Sequence, residues 1–310
     1  MDTSHVRRTH SAGPDRIPLP AAAGFEHHFL DLPGLRAHVA AIGEGAPVLM
    51  LHGFPQHWWQ WRQIAPAIAA TGHRVICPDL RGSGWTEAST PQIGADTHLH
   101  DLLQVMDALG VERAHVVAHD LGAISAMQLA YQHPDRVRSL VQLSVPPGFM
   151  RFTPRLAPAF RHMPPLMVHR SGQPLRWLFS PAYVAGPMTE ETVDTYLAPL
   201  GRPEVDRAVR TLFRGMVLPA ALRLMRGVYR RMTLRPPTLA VFGRQDGPFT
   251  EGTVRRICRG YDGHAERFEL AFVDDAAHFI TDDAPGEVTA LIRDWIARSD
   301  ATAVQGDQAA

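Results

Sequence analysis

Asp120 stands between two small residues, Ala118 and Gly122, each two positions away. Ahead of it runs the β-branched apolar segment Val116-Val117, and behind it Leu121, Met127, Leu129 and Ala130 recur at helical spacing. A strand that turns this sharply into a helix presents its middle side chain on a strained backbone above a sheet. Small neighbours are what let strand and helix pass closely there. Serine is the usual occupant. A carboxylate, with a reference pKa of about 4, is ionised at neutral pH and needs no base to become a nucleophile. A purely structural role as helix N-cap is the competing reading, and the partners of Asp120 decide between the two.

Two such partners follow in the chain order nucleophile, acid, histidine. Asp246 lies in Gly243-Arg244-Gln245-Asp246-Gly247-Pro248, after the apolar run Thr238–Phe242. His278 lies in Asp274-Asp275-Ala276-Ala277-His278, after Phe268–Val273. If both runs are parallel strands, all three groups sit at strand C-terminal ends on one rim of a sheet. A lone loop Asp or His is ordinarily solvated or capping. Three in this order amount to a carboxylate nucleophile with a histidine base and its orienting acid.

The elements that must position them alternate. Strands are expected at Phe25–Leu32, Leu35–Ile42, Pro47–Leu51, Arg74–Cys77, His115–His119, Val137–Val145, Thr238–Phe242 and Phe268–Val273. Helices are expected at Trp58–Ala70, Thr97–Leu109, Leu121–His133, Glu251–Arg259 and Pro285–Arg298. This pattern predicts a mainly parallel sheet with helices on both faces. Between residues 147 and 233 the alternation stops, and prolines break the segment into short helices. It reads as a helical lid over the strand ends, where such sheets bind ligands. The expected organisation is a disordered tail over 1–24, a core of 25–146 and 234–298, the lid over 147–233, and a flexible tail over 299–310.

Composition bounds the function. With 31 Lys plus Arg against 31 acids, and every basic residue an Arg, there is no general nucleic-acid footprint. The lid is basic, holding 14 Arg against 5 acids between Met150 and Arg235. That charge fits docking on a more acidic body, or else steering of anions. Two distant cysteines, Cys77 and Cys258, give no disulfide framework and fit a reducing cytoplasm. No apolar stretch is long enough for a membrane span, and the N-terminus lacks a secretory apolar run. The 17 His show no H-x-x-x-H or H-E-x-x-H pair with supporting ligands, so neither a metal nor any other cofactor is expected.

Three segments carry a family resemblance. They are His52-Gly53-Phe54-Pro55 with Gln56, Trp58, Trp61 and Arg62; Val117-Ala118-His119-Asp120; and Arg223-Leu224-Met225-Arg226-Gly227-Val228-Tyr229-Arg230. With the triad order, the chain resembles the α/β-hydrolase superfamily, and within it the epoxide hydrolases. The resemblance implies the α/β-hydrolase fold, a mainly parallel eight-stranded sheet with an inserted lid. It implies opening of an apolar epoxide to a diol through an ester on Asp120, hydrolysed by water that His278 and Asp246 activate. The N–H groups of Phe54 and Leu121 would form the oxyanion hole, and Tyr229 would protonate the opening ring. His162 would stand in for a second lid donor, with Tyr183 and Tyr196 as further candidates. His52 and Trp58 would bind substrate. The implied partner is a small molecule, with neither nucleic acid nor membrane, and a homodimer is left open.

Two departures bear on substrate. Leu121 replaces the tryptophan common after this nucleophile, and Ala118 replaces a frequent glycine. Haloalkane dehalogenases share the machinery but carry Asn after the His-Gly pair and Trp after the nucleophile. Haloacetate dehalogenases share His-Gly-Phe-Pro-Gln but carry Arg after the nucleophile. Phe54 and Leu121 match neither. A non-catalytic ligand-binding protein on the same fold is the remaining alternative, though such proteins usually lack a triad member.

Overall fold

The computed structural model describes residues 6–8 and 17–309. Eight strands form the body of the sheet: β1 (Glu26–Leu32), β2 (Leu35–Ile42), β3 (Ala46–Leu51), β4 (His73–Pro78), β5 (Ala114–His119), β6 (Val137–Leu143), β7 (Thr238–Gly243) and β8 (Phe268–Val273). Their order is β1-β2-β4-β3-β5-β6-β7-β8. The first two pairings, β1 with β2 and β2 with β4, are antiparallel, and every later one is parallel. Two short antiparallel strands, Val6–Arg8 on β1 and Glu87–Ala88 on β2, bring the count to ten. This is the α/β-hydrolase fold.

Alternation along the strands builds a core on each face. Leu49 and Leu51 of β3, Val116 and Ala118 of β5, and Ala240 and Phe242 of β7 pack with helices Thr97–Ala108, Leu121–Gln132 and Glu251–Ile257. Val48, Met50, Val117, Leu239 and Val241 turn to the other face, against helices Ala65–Ala69 and Pro285–Ala309. Burial on both faces explains why these strands read as continuous apolar runs.

Three boundaries differ from expectation. The helix expected over Trp58–Ala70 divides into a 3-10 turn, Trp58–Trp61, and a short helix, Ala65–Ala69, which Pro66 opens. Proline lacks the N–H that a continuous helix would need there and suits a first turn instead. The last helix does not stop at Arg298 but runs to Ala309, where a flexible tail was expected. Of the expected disordered tail, residues 1–5 and 9–16 lie outside the described residues, as does residue 310. Residues 17–24 are packed: Ile17, Leu19 and Ala22 rest on the core, and Trp85 Nε1–H donates to the Ile17 carbonyl at 2.8 Å.

Between β6 and β7 lie short helices, including Met163–Met167, Glu190–Leu197, Pro203–Leu212 and Leu218–Met225. A π turn, Phe213–Val217, joins the last two. Pro219 follows directly and has no N–H to give the carbonyl of Gly215, a register in which a π turn relieves the clash. A third apolar cluster holds this segment down, with Leu166, Leu178, Val209 and Leu212 meeting Leu121 beside the nucleophile candidate. Three of the arginines here are ion-paired. Arg176 pairs with Glu190 and Asp194, Arg202 with Glu204, and Arg223 with Asp96. They tie the segment to itself and to the body.

Candidate active site

Asp120 ends β5 and opens helix Leu121–Gln132 at φ 46° and ψ −115°, a backbone state that costs about 1–3 kcal/mol for a non-glycine residue. No side-chain capping bond is made, so the helix-cap reading fails. Close packing forces the geometry. A Cβ on Gly122 would lie 2.4 Å from the Leu51 carbonyl oxygen, and one on Gly53 would lie 2.7 Å from Asp120 Cβ. Glycines at both positions let the loop after β3 cross the turn after β5. That crossing brings the Phe54 N–H to Asp120 Oδ2 at 2.9 Å. Leu121 is the first helical residue, so its N–H has no intrahelical acceptor. Of the two expected oxyanion donors, Phe54 N–H stands at this carboxylate, and Leu121 N–H opens the helix directly after it.

His278 follows β8, and its Nε2 lies 3.5 Å from Asp120 Oδ1. Its Nδ1 lies 3.1 Å from Asp246 Oδ2, and the other oxygen of Asp246 accepts from the Phe249 N–H at 2.9 Å. Backbone ties fix the imidazole further. The His278 carbonyl accepts from Ser144 Oγ at 2.9 Å and meets His119 Nε2 at 2.8 Å. Burial opposes charge on His278, but Asp246 and Asp120 outweigh it and raise its pKa to about 10. Burial likewise works against the Asp120 carboxylate, yet His278, His119 and the Phe54 N–H bring it down to about 2. The resting pair is thus carboxylate and imidazolium.

Asp120 and His278 open onto a pocket lined by Phe54, Leu121, Ile124, Leu166, Phe213 and other apolar side chains. Besides these two, the ionisable or phenolic groups lining it among the described residues are His162 and Tyr183, with no Arg. The Tyr183 hydroxyl and His162 Nδ1 are hydrogen-bonded to each other. The Tyr183 ring stands 5.4 Å from that of His278. Main-chain bonds place this tyrosine: its carbonyl accepts from the Phe279 N–H at 2.9 Å, and the Ala185 N–H donates to Asp283 at 3.1 Å. Burial raises the Tyr183 phenol pKa far above its ordinary value, so it stays protonated and able to donate.

Three expectations are corrected. Tyr229 does not reach the pocket; it is buried against Tyr131, ring centroids 4.7 Å apart, with Arg223 at its hydroxyl. His52 and Trp58 do not line the pocket either. His52 accepts the Leu80 N–H at 3.0 Å, and Trp58 is fully buried with its N–H donated to Asp79 Oδ1 at 2.8 Å. Asp79 also accepts from the Trp85 N–H and bonds His38, so it anchors the loop carrying Phe54 from behind. Tyr196 is taken up by Arg62 and Asp282. The roles of Ser144 and Phe249 were not foreseen, because they arise from main-chain meetings between distant loops.

The region 46–167 matches the family described as alpha/beta hydrolase fold. An epoxide hydrolase of Siraitia grosvenorii, "Epoxide hydrolase 3", is 40% identical over 132 residues, which is 42% of this chain and 40% of that protein. A "Fluoroacetate dehalogenase" of Burkholderia sp. is 36% identical over 137 residues, 42% of this chain and 44% of that protein. The chain thus spans well under half the length of the curated relatives it matches. A solved Vigna radiata epoxide hydrolase mutant superposes with a TM-score of 0.73 at 25% identity, covering 89% of this chain and 99% of that one. Among the described residues, no helix is long and apolar enough to cross a membrane. With this sheet order, this turn at Asp120 and these matches, the chain has the α/β-hydrolase fold and is similar to epoxide hydrolases that share it.

Proposed function

We propose that the protein hydrolyses apolar epoxides to vicinal diols through an alkyl ester on Asp120. The observation that carries this reading is a carboxylate, not a hydroxyl, at the strained turn, with a His–Asp pair on one oxygen and a backbone donor on the other. Attack by a carboxylate on an ester would give a mixed anhydride, whereas attack on a strained sp³ carbon gives a stable ester.

Oδ2 rests on the Phe54 N–H, which leaves Oδ1 to attack the ring carbon and break its C–O bond. The departing alkoxide needs a proton, and Tyr183 is the pocket phenol able to supply it. With the proton on Nδ1, His162 donates to the Tyr183 oxygen and leaves the phenolic O–H free for the ring. Ester formation then removes the charge of Asp120, one of the two carboxylates that keep His278 protonated. Its proton passes through water to the Tyr183 phenolate, and neutral His278 then takes a proton from the attacking water. The hydroxide adds to Cγ of Asp120, and the Phe54 and Leu121 N–H groups hold the oxyanion, a contribution of about 10²–10³ per donor. Collapse expels the diol alkoxide, which His278 protonates, and the carboxylic acid left on Asp120 returns its proton to the imidazole, restoring the resting pair. Alkylation itself thus turns a resting cation into a base.

The Burkholderia relative makes dehalogenation the rival chemistry. The pocket favours the epoxide, because Leu121 and Ile124 line it and, among the described residues, no Arg stands there to bind a haloacid carboxylate. Styrene oxide should give phenylethanediol, and chloroacetate and fluoroacetate should release no halide. Halide release without diol formation would reverse the assignment. The two buried free thiols, Cys77 and Cys258, fit a reducing cytoplasm.

A further inference from the structure

At the opposite rim of the sheet from Asp120, three side chains converge that the chemistry above does not use. His73 opens β4, His115 lies near the start of β5, and Asp300 projects from helix Pro285–Ala309. One potential ligand atom from each lies within 4.8 Å of the other two. The register explains the meeting: β3 runs between β4 and β5, with His73 opposite Ala46 and His115 opposite Val48. Ala46 and Val48, two apart, share a face, and Val48 packs against the last helix. Both imidazoles therefore face the helix that carries Asp300.

We propose that His73, His115 and Asp300 form a binding site for a divalent transition-metal ion of the zinc class, clamping the last helix to the lower edge of the sheet. Two imidazoles and one carboxylate suit zinc, nickel or cobalt, with water completing the shell.

The outer contacts fit that role. Thr71 Oγ1 gives its proton to the Ile68 carbonyl at 2.6 Å, so at 3.0 Å from His73 Nδ1 it accepts, which places the proton on Nδ1 and leaves the Nε2 lone pair free. His115 Nδ1 has Ser139 Oγ at 2.8 Å, and its Nε2 faces Asp300 Oδ1 at 3.1 Å. A hydroxyl behind each ligating ring is the usual means of fixing its orientation. A register shift at Ala114/His115 sets Ser139 beside His115 and passes over Arg138, which is exposed to solvent. Bulges of this kind re-aim side chains. The Asp300 side chain is 41% exposed, which gives an ion a route in. A tetrahedral shell with bonds of about 2.0–2.1 Å spaces its ligands about 3.4 Å apart, so closure needs only a rotamer-scale movement of half-buried His73.

The test is calorimetric titration of chelator-treated full-length protein with Zn²⁺, alongside His73→Gln and Asp300→Asn, with Co²⁺ absorption as a second probe. The expected result is one equivalent bound, affinity at least tenfold weaker in each variant, and a visible Co²⁺ d–d band that both variants lose. Zn²⁺ should raise the Tm of the parent more than that of either variant. Absence of stoichiometric binding, or binding that neither variant weakens, overturns the site. Both variants lie away from the pocket, and their epoxide turnover without metal reports that they are folded.

Discussion

Tyr183→Phe separates the lid tyrosine named by the motif from the one the pocket contains. Tyr183 is the pocket phenol, bonded to His162 and standing 5.4 Å, ring to ring, from His278. Removing its hydroxyl takes from the departing alkoxide the one phenol among the described residues lining the pocket. General-acid assistance of this kind contributes about 10²–10⁴ in rate, or about 2.7–5.4 kcal/mol of barrier at 1.36 kcal/mol per tenfold. Ester formation from styrene oxide, followed by stopped-flow in a single turnover, should slow by that factor, with thermal stability nearly unchanged. Tyr229→Phe should behave in the opposite way. Its hydroxyl meets Arg223 away from the pocket, so its loss should cost about 1 kcal/mol of stability and change the rate less than about threefold. If Tyr229→Phe slowed alkylation as much as Tyr183→Phe, the placement of the acid would be wrong.

Other expectations follow from the same geometry. Asp246→Asn should leave ester formation within about tenfold and slow ester hydrolysis by about 10³–10⁴, because the imidazole loses its tautomer and the stabilisation of its cation; burst kinetics with accumulated ester would show it. Ester formation should persist into acid because the Asp120 pKa is brought down to about 2. His278 is raised to about 10, so its contribution to stability is whole below the unfolded value of about 6.5 and is lost as pH rises through 10. Asp120 contributes above about 3.8 and loses its share as pH falls through 2. Chemical denaturation of Asp120→Asn across that range should show both slopes flattened, and unchanged slopes would contradict the ion pair. Leu121→Arg should lower styrene oxide turnover at least tenfold by placing a cation in an apolar pocket, while the parent should show no benefit from a carboxylate on the substrate.

What the chain order revealed, and what it hid, has a physical division. Asp120, Asp246 and His278 were legible because each follows an apolar run at the end of a parallel strand, where local pattern and site coincide. Gly122 was legible for the same reason, as close approach admits no side chain. The lid donors were legible only in part, with His162 and Tyr183 named but Tyr229 preferred. Tyr229 opens a short 3-10 turn and Tyr183 lies in an irregular turn, and their direction depends on long-range ties such as the Phe279 N–H on the Tyr183 carbonyl. His52 and Trp58 sit in the right motif but on its inner side, because Asp79 draws the Trp58 N–H and the Trp85 N–H into one buried junction. The cluster of His73, His115 and Asp300 could not be read from the sequence because its members come from strand starts and a helix far apart in the chain.

The most direct measurement is intact mass, followed by peptide mapping, of His278→Gln after exposure to styrene oxide. Without its base the second step should stall, and the protein should gain one substrate mass on the peptide that contains Asp120. An adduct on another residue, or none at all while diol still forms at the parental rate, would contradict a carboxylate nucleophile.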